Sequence, residues 1–149
     1  MMNCPVLRVS SNEGKYSEYP LKRGLNLIGR SYSKLVPDEN YHYIGIITED
    51  TKISRKHCFI EWEINDNQES FLLLYDNISI NGTMLKGFKK EILDKDDMIY
   101  LINQDEIILG DTSIFVHIPL TLPMNKAIII QKEEDKVKTI IWESKRTIK

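Results

Sequence analysis

Apolar and polar residues alternate along much of the chain, which is the pattern of β-strands with one buried face. The clearest case runs from His57 to Asn65, where every second residue from Cys58 onward is apolar. Seven further runs rich in Ile, Leu, Val, Tyr and Phe predict strands: Val6 to Ser10, Leu25 to Gly29, Tyr43 to Thr48, Ser70 to Asp76, Met98 to Ile102, Glu106 to Leu109 and Ile114 to Ile118. No stretch of the sequence shows sustained helical spacing, so we predict an all-β fold.

Residues that tolerate tight turns separate the predicted strands. These turn segments are Asn12-Glu13-Gly14, Asn65-Asp66-Asn67, Asn81-Gly82, Asp94 to Asp97 and Gly110-Asp111. Many short strands with frequent turns predict a β-sandwich or a barrel. Two longer polar stretches, Ser31 to His42 and Phe88 to Asp97, are expected to form surface loops.

The last 31 residues, Pro119 to Lys149, differ in composition from the rest of the chain. Two apolar runs, Ile128 to Ile130 and Val137 to Trp142, flank the charged segment Lys132 to Lys136. This order predicts a β-hairpin, and an isolated hairpin is marginal in water. We therefore divide the chain into one domain, residues 1–118, and a C-terminal extension, residues 119–149, that packs on the sandwich or on a second copy.

Composition and charge narrow the classes of function. The chain has 149 residues, of which 42% are hydrophobic and 28% charged, as in ordinary globular domains. Its 20 basic and 22 acidic residues give a net charge of -2, which excludes a global electrostatic grip on nucleic acid or on an anionic membrane. No apolar run is long enough to span a bilayer and no secretory signal is visible, so we expect an intracellular protein.

The chain offers no recognisable metal or cofactor site. Cys4 and Cys58 are 54 positions apart, and no second ligand pair near the three histidines gives a metal spacing. We interpret both cysteines as reduced thiols and expect neither a metal nor a cofactor.

Three stretches at predicted strand ends carry groups that suit a phosphate ester: Gly29-Arg30, Ser54 to His57, and Asn77 to Thr83. The planar guanidinium of Arg30 has five donors and can hydrogen bond to two oxygens of one phosphate. Ser54 offers a hydroxyl donor without a charge to desolvate. Asn81 offers a carboxamide that donates and accepts, which is the chemistry needed to hold an extended peptide backbone.

Each of these features has a simpler interpretation when it is taken alone. Arg30 is then a surface arginine paired with a carboxylate, and Ser54 is a turn residue whose hydroxyl caps the local backbone. The segment Asn81-Gly82-Thr83 is then a type I′ hairpin turn. The presence of all three in one strand-rich chain favours a shared function.

Gly-Arg, Ser-x-x-His and Asn-Gly-Thr, in this order on a strand-rich chain, resemble the motifs of forkhead-associated (FHA) domains. The resemblance covers about Val6 to Ile118, and Leu93 to Leu101 is similar to a turn and strand of the family. It implies an FHA-like β-sandwich of about eleven strands whose loops at one end bind a phosphothreonine peptide. The partner implied is a threonine-phosphorylated protein.

The resemblance also implies roles for single residues. The phosphate-binding residues would be Arg30, Ser54 and Arg55. The peptide-binding residues would be Asn81, Lys52 and Ile80. The residues that support the site would be Gly29, His57, Gly82 and Thr83. In family members the position of Lys52 often contacts the third residue after the phosphothreonine, and we expect an acidic residue there.

Two departures from the family pattern bear on affinity. Ile80 stands where the family commonly has a serine, a threonine or another polar residue, so one side-chain donor is missing. A hydrogen bond to a charged group is worth about 1.5 to 3 kcal/mol, so this loss weakens binding by about tenfold or more. The 23 residues between Arg30 and Ser54 form a longer segment than the family usually has, which reshapes or covers the site.

Three classes of function follow from these observations. The leading hypothesis is a non-enzymatic module that binds phosphothreonine peptides. A catalytic pair is not expected, because Ser54 and His57 lie three positions apart at a strand edge and would project to opposite faces, and no glycine-flanked nucleophile elbow is present. The second is a scaffold that forms a homodimer or docks a protein, with weak or no phosphothreonine binding. The third and least favoured is nucleic-acid binding through Lys52 to Lys56. The FHA resemblance further implies nuclear signalling, including responses to DNA damage.

Overall fold

The computed structural model describes residues 3–10, 14–86, 93–94 and 96–135. Within these ranges, ten β-strands form two five-stranded sheets that enclose one apolar core. The strands are β1 (Val6–Ser10), β2 (Tyr16–Pro20), β3 (Gly24–Arg30), β4 (His42–Ile46), β5 (Cys58–Ile64), β6 (Ser70–Asp76), β7 (Thr83–Leu85), β8 (Ile99–Leu101), β9 (Glu106–Leu109) and β10 (Thr112–His117). The first sheet has the order β2-β1-β10-β9-β7, and the second has the order β4-β3-β5-β6-β8. The prediction of an all-β sandwich is confirmed.

The alternation in the sequence corresponds to the buried faces of the strands. Cys58, Ile60 and Trp62 of β5 are buried, while the residues between them are partly exposed. Ile60 pairs with Leu74 of β6, and Leu74 is also buried. Each fully buried leucine or isoleucine contributes about 1.5 to 3 kcal/mol, so the two inner faces hold the sandwich together.

The strand pairs are antiparallel except for β3 with β4, which run parallel with Arg30 opposite Ile46. A parallel pair cannot be closed by a tight turn, so the chain must travel back along the strand before β4 begins. The long polar segment 31–41 makes this return as a loop, as the sequence predicted. As a result, β3 and β4 end at the same edge of the sheet, where Arg30 lies.

Two short strands were not predicted from the pattern. β2 is an edge strand whose first three residues are exposed, so it has no alternation of apolar and polar positions. β7 has only three residues and follows directly after the turn residues Asn81 and Gly82. The alternative in which Asn81-Gly82-Thr83 closes a hairpin is wrong, because β6 and β7 belong to different sheets and Asn81 does not have a positive φ.

The predicted β-hairpin in the extension is wrong in its first arm, because residues 126–135 form an α-helix. Asn125 begins the helix, and its side-chain oxygen accepts a hydrogen bond from the amide of Ile128 at 3.2 Å. This is the geometry of an N-cap. The branched residues at 128–130 favour strands, but the N-cap and the buried pair of Lys132 with Asp105 of the sandwich prevail. The second arm, Val137 to Trp142, lies outside the described residues.

The described part of the extension packs against the sandwich. The amide of Asn125 donates to the carbonyl of Ser70 at 3.0 Å, and the amide of Ser70 donates to the carbonyl of Pro123 at 2.8 Å. Lys132 and Asp105 form a buried ion pair at 3.6 Å between the helix and the sandwich. The division of the chain at residue 118 remains a prediction. Within the described ranges no helix has the length and hydropathy needed to cross a bilayer.

Candidate functional site

Three segments meet at the end of the sandwich where β3 terminates: the end of β3, the loop before β5 and the loop between β6 and β7. The amide of Arg30 donates to the carbonyl of Ser54 at 3.0 Å, and the amide of His57 donates to the carbonyl of Ile28 at 2.9 Å. These two bonds extend the β3–β5 pairing beyond the start of β5. They bring Ser54 beside Arg30 although 23 residues separate them in sequence.

Gly29 permits this close approach. A Cβ atom built on Gly29 would lie 1.8 Å from the carbonyl oxygen of Arg55 and 2.8 Å from that of Ser54. Both contacts are with backbone, which cannot move aside as a flexible side chain can. Only glycine fits between these segments, so Gly29 fixes the distance between Arg30 and the Ser54 loop.

Arg30 extends from the last residue of β3 into this end of the sandwich and is half-buried. Its Nε atom donates to the carbonyl of Ile53 at 3.2 Å, which holds the guanidinium in place. Among the described residues the two terminal nitrogens of Arg30 make no hydrogen bond or ion pair. The side chain is therefore anchored at one nitrogen and can offer its terminal donors to a ligand.

His57 supports the Ser54 loop from inside the protein. Its Nδ1 accepts a hydrogen bond from the amide of Ser54 at 2.9 Å, and its Nε2 lies 2.8 Å from the carbonyl oxygen of Gly82. A carbonyl only accepts, so Nε2 carries the proton and donates. The imidazole is fully buried and both nitrogens are committed to backbone partners, which leaves neither to act on the Ser54 hydroxyl.

Asp76 organises the loop between β6 and β7, and the sequence analysis did not single it out. Its carboxylate accepts hydrogen bonds from the Ser79 hydroxyl at 2.6 Å, the Ser79 amide at 2.9 Å and the Thr83 hydroxyl at 2.7 Å. The Ser79 hydroxyl in turn accepts from the amide of Gly82, which has a φ of 81°. The spacing Asp76-x-x-Ser79 is typical of an aspartate that caps a turn, and it is the signal that could have identified this residue.

Asn81 and Ile80 connect the β6–β7 loop to the Ser54 loop. The side-chain nitrogen Nδ2 of Asn81 donates to the carbonyl of Lys52 at 2.9 Å. This bond orients the Asn81 carboxamide and leaves its oxygen as an acceptor. The Ile80 amide donates to the Ser54 hydroxyl oxygen at 3.4 Å. Ser54 accepts in this contact, so its hydroxyl proton remains able to donate to a ligand.

Two tyrosines brace the other side of the site and were also missed. The Tyr43 hydroxyl lies 2.8 Å from the carbonyl oxygen of Arg30 and 2.7 Å from that of Arg55, and it donates its single proton between them. Burial and the neighbouring Tyr32 raise the pKa of Tyr43 to about 12, so this proton is retained at neutral pH. The Tyr32 ring lies 5.0 Å beneath the Arg55 guanidinium as a cation–π contact.

Lys52 lies at the outer edge of the site and is already paired. Its ammonium is 2.9 Å from a carboxylate oxygen of Asp111, and both side chains are exposed. Asp50 shapes this loop by accepting hydrogen bonds from the amides of Lys52 and Asp111 and from the Thr112 hydroxyl. Partial burial opposes ionisation of Asp50, but the hydrogen bond from Thr112 and the two amides outweigh it and lower its pKa.

The structure therefore brings together most of the residues that the sequence singled out. Direct hydrogen bonds link Ser54 to Arg30, His57 and Ile80, while Asn81 contacts the backbone of Lys52. Arg55 is exposed beside this group, whereas Thr83 is buried and turned toward Asp76. Among the described residues, no cluster of three His, Cys, Asp or Glu side chains is placed to hold a metal ion.

The arrangement suits a small dianion bound at the surface together with an extended peptide. A guanidinium, a hydroxyl and an exposed second guanidinium lie at one end of the sheet, and a carboxamide lies beside them. The charge-assisted hydrogen bonds of such a site are about twice as strong as neutral ones.

Comparisons with known proteins agree with this fold. A family model for the FHA domain matches residues 26–110. A solved domain from a structural and functional analysis of phosphothreonine-dependent FHA domain interactions is 28% identical, with a TM-score of 0.54, and the match covers 78% of this chain and 99% of that one. The FhaA FHA domain, solved with the intracellular domain of Rv3910, is 27% identical, with a TM-score of 0.51 and coverage of 76% and 99%.

A more distant structure agrees on the fold. The FHA domain of the CT664 protein from Chlamydia trachomatis is 24% identical, with a TM-score of 0.56, over 76% of this chain and 96% of that one. The comparison with curated proteins gave no match.

Proposed function

Because this chain belongs to the FHA domain family, whose members are phosphothreonine-dependent protein-interaction modules, we propose that it binds a threonine-phosphorylated protein through Arg30, Ser54, Arg55 and Asn81, without catalysis. The observation that carries the proposal is the close approach at Gly29, which places the anchored Arg30 beside the Ser54 loop. The structural relative with 28% identity was studied for phosphothreonine-dependent interactions, which supports the same ligand class here.

The phosphate would be held by donors on three sides. The terminal nitrogens of Arg30 would bind two phosphate oxygens in the bidentate manner that suits a guanidinium. The Ser54 hydroxyl would donate to a third oxygen, and Arg55 would approach from its position above Tyr32. Asn81, already oriented by Lys52, would hold the peptide backbone beside the modified threonine.

Threonine selectivity would come from the methyl group. Ile80 is 90% exposed next to the Ser54 hydroxyl, so a phosphothreonine methyl can lie against its side chain. Burying one methyl contributes about 0.8 kcal/mol, which corresponds to an about fourfold preference over phosphoserine. Ile80 therefore replaces a polar contact to the phosphate with an apolar contact to the threonine.

Lys52 would contribute a preference for an acidic residue on the peptide. The ammonium of Lys52 is bound to Asp111 at 2.9 Å, so a peptide carboxylate has to compete with that side chain. Exposed ion pairs are weak, so a carboxylate of the peptide can displace Asp111 from Lys52. The resulting preference would be modest, and we expect the phosphate contacts to dominate affinity.

An intracellular role in nuclear signalling, including responses to DNA damage, is part of the proposal and rests on the family resemblance alone. A fluorescently tagged version of the chain should accumulate in the nucleus. Exclusion from the nucleus in the same cells would overturn this part without affecting the ligand proposal.

A peptide array tests the ligand class directly. Each peptide should be present with threonine, phosphothreonine and phosphoserine at the same position. We expect binding to phosphothreonine members, weaker binding to phosphoserine members and none to unmodified ones. Equal signals for phosphorylated and unmodified peptides would contradict the proposal.

A scaffold role is the second candidate, and one surface favours it. Between β8 and the helix lies a largely apolar cavity of about 340 Å³ that includes Met98, Tyr100 and Ile128. Met98 and Tyr100 are exposed there, as is Ile130 on the helix. Sedimentation separates the two functions: a stable homodimer that ignores phosphopeptides would favour the scaffold, and a monomer that binds them would favour the peptide-binding module.

A further inference from the structure

Ile78, in the loop between β6 and β7, has an unusual backbone conformation. Its φ is 51°, in the left-handed region that β-branched residues rarely adopt. Its side chain is 79% exposed, so no burial compensates for the strain. Without a ligand, Ile78 therefore lowers the stability of the domain, and its exposed side chain adds little burial to offset this loss.

The surrounding loop enforces this conformation. The amide of Asn77 donates to the carbonyl of His57 at 2.9 Å, and the Asn77 side chain donates to the carbonyl of Lys56 at 3.3 Å. On the other side of Ile78, the Asp76 carboxylate binds the amide and the hydroxyl of Ser79. Ile78 is therefore held between two fixed residues and cannot relax.

Ile80 lies two positions further along and is also exposed, at 90%. We call Ile78 and Ile80 together the isoleucine rim. Ile80 adjoins the phosphate-binding residues, because its amide donates to the Ser54 hydroxyl at 3.4 Å, and Ile78 lies two residues earlier in the same loop. Apolar side chains beside an anion site suit a ligand that carries both an apolar group and a negative charge.

We infer that the isoleucine rim binds an apolar side chain that flanks the phosphothreonine in the partner peptide. The inference rests on the proposed function and adds a sequence preference to it. The Ile80 side chain alone can cover the methyl group of the phosphothreonine. The Ile78 side chain is then available to contact a neighbouring residue of the peptide. A strained backbone in a ligand-binding loop persists only where the surrounding structure holds it in place. The contacts of Asp76 and Asn77 have this role here.

Phosphothreonine peptides with isoleucine or serine at each of the three positions on either side of the phosphothreonine test this preference. For the wild-type chain we expect isoleucine to bind about three- to tenfold more tightly than serine at one or two of these positions, as suits one partly buried side chain. The Ile78→Asn variant should lose this gain while it still binds the serine peptide. Asparagine tolerates a positive φ, so the melting temperature should stay the same or rise.

Two control variants separate the rim from general effects. Gln68 has a φ of 62° in the turn between β5 and β6, at the opposite end of these strands, so Gln68→Asn changes a strained position far from the site. Leu120 is fully exposed beyond the end of β10, and β10 begins beside Asp111 and runs away from the site. Leu120→Asn therefore removes an exposed apolar residue elsewhere. Both controls should keep the isoleucine gain.

The outcomes distinguish this inference from the function on which it rests. If the wild-type chain binds phosphothreonine peptides with no isoleucine gain, or if Ile78→Asn retains the gain, the rim inference is overturned and the function stands. If no phosphothreonine peptide binds at all, both are overturned.

Discussion

Replacing Arg30 with alanine is expected to remove measurable binding of phosphothreonine peptides while the domain stays folded. Each hydrogen bond to a charged group is worth about 1.5 to 3 kcal/mol, so loss of a bidentate contact lowers affinity by about 100-fold or more. The fold loses one hydrogen bond, from Nε to the carbonyl of Ile53, which costs about 1 kcal/mol. Calorimetric titration with one peptide and a thermal melt of each variant measure both effects.

Two further variants make this result specific. Arg30→Lys keeps the charge but loses the planar fork, so its affinity should fall between those of the wild type and Arg30→Ala. Arg23 is an exposed arginine just before β3, at the opposite end of the strand from Arg30, and Arg23→Ala should bind normally. Equal affinity of Arg30→Ala and the wild type would show that the phosphate binds elsewhere.

The Gly29→Ala variant is expected to lose both stability and binding. The new Cβ would lie 1.8 Å from the carbonyl oxygen of Arg55 and 2.4 Å from its carbonyl carbon, so the two backbone segments must separate. Their separation breaks the hydrogen bond from the Arg30 amide to Ser54. We expect a loss of about 3 kcal/mol and a fall in melting temperature on the order of 10 °C.

Gly45 provides the matched control, because it pairs with Gly29 across β3 and β4. A Cβ at Gly45 would lie 3.0 Å from a ring carbon of Tyr43 and 3.2 Å from the Cα of Ser31, so its neighbours need to move far less than those of Gly29. Gly45→Ala should therefore be clearly milder than Gly29→Ala in a thermal melt. A Gly29→Ala protein that melts within about 2 °C of the wild type would contradict the close approach.

The sandwich was predictable from the sequence wherever a strand has one buried face. β5 and β6 show this pattern and were predicted close to their observed bounds, whereas the exposed edge strand β2 shows no alternation. The helix at 126–135 was missed because its isoleucines favour a strand in isolation. The N-cap at Asn125 and the buried pair of Lys132 with Asp105 decide its structure, and the pair depends on tertiary contact.

The candidate site was predictable only in part. Arg30, Ser54 and Asn81 could be found because each follows or precedes a predicted strand within a short motif. Tyr43 could not, because its partners Arg30 and Arg55 are 13 and 12 residues away and the motifs give no sign of that contact. The strain at Ile78 was also invisible, since a φ value depends on the hydrogen bonds that Asp76 and Asn77 make in the folded loop.

The absence of a polar side chain at position 80 lowers the affinity that we expect for a phosphothreonine peptide. Ser79 does not compensate, because its hydroxyl donates to Asp76 at 2.6 Å and accepts from the amide of Gly82 at 3.0 Å. In the proposed function, affinity would then depend on Arg30, Ser54 and Arg55, and the proposed isoleucine rim would add apolar contacts. A partner peptide that lacks apolar flanking residues should bind weakly.

The most direct measurement of the central claim is an NMR titration of the isotope-labelled chain with a phosphothreonine peptide and with its unmodified counterpart. The account predicts that the phosphorylated peptide shifts the backbone amide signals of Arg30, Ser54, Arg55 and Asn81 most strongly, and that the unmodified peptide shifts none of them. Equal shifts with both peptides, or shifts centred on β8 and the helix at 126–135, would contradict it.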